Sequence, residues 1–143
     1  MWIIFALGAS LFWGISYVLS GEIYKKISLF TSLGIASFVV CIITLLISYF
    51  SSSLKPDLIS ITSSKNLLWY IIGGILSLLI AELCIGFSII SKNATLAGLI
   101  EISYPIFIAL FSYLLFKNKI TIPTVIGGII VFFGIFIIYY FNR

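Results

Sequence analysis

The sequence predicts an all-α, polytopic membrane protein, and three observations carry that prediction. Of its 143 residues, 62% are hydrophobic and only 8% charged, whereas soluble domains carry roughly 25% charged residues. The mean hydropathy is +1.31, too high for a chain this short to satisfy by burying a core, because a small domain leaves a large surface that needs polar cover. Five apolar stretches are each long enough to cross the hydrocarbon layer, which takes roughly 20 residues of helix. Lipid is the solvent such a chain requires, and all 143 residues read as a single transmembrane domain.

The five helices fall at about residues 2–20, 28–50, 67–90, 94–116 and 121–141. The first has no basic region before it and is followed by Glu22, Lys25 and Lys26 in place of a cleavage site, so it reads as a retained span and not a secretory signal. Glu22 stands four residues before Lys26, a spacing suited to an exposed ion pair at a helix end. Trp2, Tyr24, Tyr49, Trp69, Tyr70, Tyr139 and Tyr140 lie near the span ends, where amphipathic rings suit the water interface. Residues 51–66, SSSLKPDLISITSSKN, read as a Ser-rich surface linker or short interfacial turn with no site in it. Asn93-Ala94-Thr95 matches a glycosylation sequon by chance, in a tight turn against the membrane. Thr121 followed by Pro123 marks the start of the last helix, with Thr as the cap and Pro in the first turn.

Several function classes drop out on composition. There is no His, and Cys41 and Cys84 stand alone inside apolar runs, which excludes structural zinc, histidine-based catalysis and a disulfide framework. The eight Lys and Arg are scattered and form no basic stripe, so nucleic acid is not a partner. No nucleophile has a base or metal beside it, so an enzyme is the weakest reading, and no cofactor is expected.

Five crossings divide the connections between two faces. One face receives Lys55, Lys65, Lys117 and Lys119, and the other Lys25, Lys26, Lys92 and Arg143. Orientation follows the cytoplasmic excess of Lys and Arg, and here four stand against four. The balance favours insertion in both orientations and pairing as an antiparallel homodimer; the alternative is one orientation fixed by the terminal amine or a partner.

Small residues recur at helical spacing, as lipid-embedded packing favours: Gly34, Ser37, Cys41, Thr44 and Ser48 in the second helix, and Ala94, Gly98, Glu101, Pro105, Ala109 and Ser112 in the fourth. The third has Gly73 or Gly74, Ser77, Ala81, Cys84 and Ser88, and the fifth Thr124, Gly127 and Gly134, the last two packing the closing helix against a neighbour. Two acids lie inside spans, Glu82 and Glu101, where a charge costs roughly 2.5 to 3.5 kcal/mol on insertion scales and tends to be functional. Counted from the turn at Lys92 and Asn93, both lie roughly 10 to 12 Å below one face at 1.5 Å per residue. Trp13 reaches a similar level, with Tyr17 above it and Tyr104 one turn from Glu101. An acidic pair walled by aromatic rings suits a cation. Apolar surroundings favour the protonated form of a carboxyl, and proton-coupled exchange requires an acid that releases its proton when a cation arrives. Pro105 has no N–H to donate to the carbonyl of Glu101, so a backbone oxygen and an acidic side chain are offered by one residue. The competing role for each Glu is a protonated tie between helices.

Three blocks then resemble one repeat of the EamA-like group of the drug/metabolite transporter superfamily, over nearly the whole chain: LFWGISYVL (11–19), ATLAGLIEISYPIFIALFSYLLFKNKIT (94–121) and GGIIVFFGIFII (127–138). The chain departs from that pattern at Ser37 and Phe38, where the family often has Arg, and at Lys117 and Asn118, where it often has Gly-Glu. Members of this kind resemble two inverted five-helix repeats fused, with substrate bound between them. No repeat is visible inside this chain, so the resemblance implies a second copy or a related short partner, as in the small multidrug resistance transporters.

The expectation is therefore a multi-pass protein of the cell membrane, surrounded by lipid. It moves a small organic solute, cationic or zwitterionic, by alternating access as an antiparallel dimer. Glu82 and Glu101 recognise charge and couple protons, Trp13, Tyr17 and Tyr104 wall the site, and the Pro105 kink exposes a carbonyl. The alternative is a non-transporting membrane subunit or lipid-handling component.

Overall fold

A computed structural model of the chain describes residues 1–142; Arg143, one of the eight cations in the charge tally, lies outside the described residues. The helices are α1 (Trp2–Ile23), α2 (Leu29–Phe50), α3 (Leu54–Ser63), α4 (Lys65–Ser91), α5 (Ala94–Glu101), α6 (Tyr104–Phe116) and α7 (Ile122–Phe141), with no strand among the described residues. Five spans are long and apolar enough to cross a membrane: α1, α2, α4, the segment Ala94–Phe116 made of α5 and α6, and α7. The protein is an all-α, multi-pass membrane protein. None of the most apolar window of any span is buried inside the chain, which leaves those side chains to lipid or to other protein.

Two differences from the sequence expectation stand out. The fourth span is broken: α5 ends at Glu101 and α6 begins at Tyr104, with Pro105 in the first turn of α6. A proline supplies no N–H to the preceding turn, and the helix stops before it. The stretch 51–66 is not a plain linker, because its centre is helix α3. Leu54, Leu58 and Ile61 recur at i, i+4 and i+7 there, enough to give one apolar stripe among the serines.

The chain divides into two compact units, one of residues 22–87 and the other of residues 1–21 with 88 onward. In the first, Ser28 caps α2, its hydroxyl accepting from the Thr31 N–H at 3.2 Å, which satisfies one orphan donor of the first turn. The next residue, Leu29, is only 4% exposed. It packs so closely on Gly86 of α4 that a methyl group there would lie 2.4 Å from Leu29 Cδ1. Phe30 and Phe87 meet edge to face beside them, with centroids 6.2 Å apart. Glu22 forms its ion pair with Lys25, not Lys26; three residues also bring side chains together on a helix face.

In the other unit, Asn93 caps α5 by accepting from the Leu96 N–H at 2.8 Å. Helix α6 ends on Lys117, which takes a left-handed conformation (φ 58°, ψ 24°). This is the geometry that favours glycine. Asn118 steadies the turn, donating from Nδ2 to Ser112 Oγ at 2.8 Å. Thr121 and Pro123 open α7 as expected, but the Thr121 hydroxyl meets Thr124 Oγ1 at 2.8 Å and does not cap the backbone.

Candidate functional site

The site grows from a close approach of α1 and α5. Small residues permit it: a methyl group at Gly21 would meet Ala94 Cβ at 3.7 Å, and one at Gly98 would sit 3.1 Å from Tyr17 Cδ2. Ala97, beside Gly98, is 3% exposed. Gly98 is thus the seat of the Tyr17 ring: a methyl group there would require the ring to give by a few tenths of an ångström, and a bulkier side chain by more. From that seat the Tyr17 hydroxyl donates a hydrogen bond to Glu101 Oε2. Trp13 also meets the Tyr17 ring, with centroids 5.7 Å apart and planes inclined at 54°. One turn of α1 therefore brings an indole, a phenol and, through the phenol, a carboxyl into one cluster.

Glu101 is the last residue of α5 and half-buried. The turn beyond it sends its N–H groups elsewhere: Ile102 donates to Gly98 at 3.2 Å, Ser103 to Ile100 at 3.1 Å and Ile106 to Ser103 at 3.0 Å. Pro105 stands where the i+4 donor to the Glu101 carbonyl would be and has none to give. Side-chain and main-chain oxygens of one residue thus lie at the break in the span. Non-helical backbone at membrane depth is tolerated where it is covered by protein or lines a cavity.

The remaining expected residues are distributed as follows. Tyr104 opens α6 across the break and is 55% exposed, and Trp13 is 49% exposed. Glu82 is half-buried on α4, in the unit of residues 22–87. Within the chain, methyl groups at Gly127 and Gly134 would meet open space, while one at Gly128 would lie 3.4 Å from Ile106 Cγ1 of α6. Gly98, against which the Tyr17 ring lies, was left by the sequence among the small packing residues. Its signal was its place one turn from Glu101 on the same helix stripe. No group of three or more potential metal ligands occurs among the described residues.

Fold and site together define a multi-pass helical membrane protein that keeps an acid at a broken span. Residues 1–140 match the model of the EamA-like transporter family. The chain belongs to that family, and through it to the drug/metabolite transporter superfamily. Comparison with curated proteins and with solved structures finds no significant match.

Proposed function

We propose that the chain is a secondary transporter of a small organic cation or zwitterion in the cell membrane, working by alternating access as an antiparallel dimer and coupled to protons. The single observation that carries the reading is the Tyr17 to Glu101 hydrogen bond at the break between α5 and α6. A carboxyl at this position can receive a positive group, and the indole and phenol beside it offer ring faces to the same charge. The tyrosine O–H holds the carboxyl in one orientation. When the cation leaves, a proton takes its place, so that the emptied site crosses the membrane without an uncompensated charge.

Tyr104 and the Pro105 kink enter as further parts of the Glu101 site, and Glu82 as an acid proposed separately from its depth along α4 in the sequence. The dimer rests on the even charge count and on the exposure of the spans within one chain, and Gly127 and Gly134 of α7 offer a smooth surface for that contact. A short homologous partner would satisfy the same requirements as a second copy.

The purified chain reconstituted in liposomes tests the proposal with a panel of aliphatic amines and betaines under an imposed pH gradient. Gradient-driven flux is expected in the wild type, with at least tenfold loss and no response to the gradient in Glu101→Gln. Binding of a protein partner without flux would instead support the subunit reading. Unaltered flux and pH response in Glu101→Gln would remove the coupling role.

A further inference from the structure

The Ser-rich stretch after α2 builds a groove that no part of the transport reading uses. Ser53 N–H donates to the Ser48 carbonyl at 3.1 Å, the Ser51 hydroxyl donates to the same carbonyl at 3.1 Å, and the Ser48 and Ser53 hydroxyls meet at 2.9 Å. Ser52 takes the left-handed conformation, φ 59°, that lets the chain reverse between them. These bonds fix α3 against the end of α2 and leave an open groove of about 770 Å³ between the two. Tyr49, Phe50, Leu58 and Ile59 wall it; Lys55 and Ser52 also line it. No acid lines it, Asp57 of the same helix included.

Its position decides what fills it. The span of α2 ends at Phe50 and the next begins at Lys65, and both ends fall on one side of the membrane because α2 and α4 are consecutive crossings. A helix that joins the ends of two consecutive spans lies where hydrocarbon gives way to headgroups, and α3 is that connection. An apolar trough at that depth meets acyl chains, and a lysine beside it meets whatever charge the headgroup bears.

We infer that the α2–α3 groove is a binding site for an anionic phospholipid, its acyl chain lying along Tyr49, Phe50, Leu58 and Ile59 and its phosphate-bearing headgroup held by Lys55. A free phosphate would leave the four apolar walls without a partner, and a neutral lipid would leave the lysine without one. The inference stands independently of the transport reading, since none of its residues belongs to the Glu101 site.

Native mass spectrometry of the full chain in mild detergent tests it, with phosphatidylglycerol and phosphatidylcholine of identical acyl chains and with inorganic phosphate as competitor. Phosphatidylglycerol is expected to be preferred. Lys55→Gln should cut that preference about fivefold, the worth of one lysine beside an anionic headgroup, and leave phosphatidylcholine binding unchanged. Leu58→Gln should weaken both lipids, and Lys65→Gln, outside the groove, neither. An unaltered preference in Lys55→Gln, an equal loss in Lys65→Gln, or displacement of phosphatidylglycerol by inorganic phosphate would overturn the site.

Discussion

Tyr17 depends on a residue that makes no polar contact of its own. Gly98 has no side chain, so the phenol can lie against α5 and reach Glu101 Oε2. Gly98→Val would force the ring off its seat. A hydrogen bond to a charged group is worth about 1.5 to 3 kcal/mol, so the solute concentration for half-maximal flux should rise by tenfold or more. Tyr17→Phe keeps the ring and removes only the O–H, and it should show a loss of the same order. If both act through one bond, Gly98→Val should add little in the Tyr17→Phe background, because changes to one shared interaction do not add. Additive losses measured in proteoliposomes would show that Gly98 matters for another reason. Sequence reasoning could name Tyr17 and Glu101 separately, since each stands out by chemistry and depth. It could not join them, because the bond depends on the distance between α1 and α5, which the glycine sets.

At the level of elements, the sequence was informative wherever one residue type dominates the local backbone. Pro105 marked the site of the break in the fourth span, although it left open that the span would become two helices, α5 and α6. Thr121 and Pro123 marked the start of the last helix. Helix α3 was hidden because six serines in 51–66 suggest turns and outweigh a three-residue apolar stripe. The turn after α6 was hidden for the opposite reason: nothing about a lysine announces a left-handed conformation. Such a conformation costs an L-residue roughly 1 to 2 kcal/mol, and glycine avoids that cost. Lys117→Gly also gives up the approach of the Lys117 ammonium to the Tyr113 ring at 5.6 Å, a weak attraction at an exposed site. Thermal unfolding in detergent should therefore show Lys117→Gly more stable by about 1 kcal/mol. A less stable variant would mean that the ring contact and the lysine stem outweigh the backbone.

For the whole molecule, the balance of four cations on each face is the feature with the widest consequence, because it removes the usual instruction about which way to insert. A reporter fused to the C-terminus should give signal from both sides of the membrane. Adding two lysines to the turn after Glu22 should shift the population towards one orientation and lower flux with it; signal from a single side in the unaltered chain would mean that a terminal amine or a partner fixes the orientation. The proposed transport turns on one chemical event, the release of a proton by a carboxyl in the membrane when an organic cation binds. The most direct measurement is proton release from the purified chain in weakly buffered detergent on addition of the amine that gives the highest flux. Release that saturates with the amine in the wild type and vanishes in Glu101→Gln is the predicted result; saturable binding with no proton released, or undiminished release by Glu101→Gln, would contradict it.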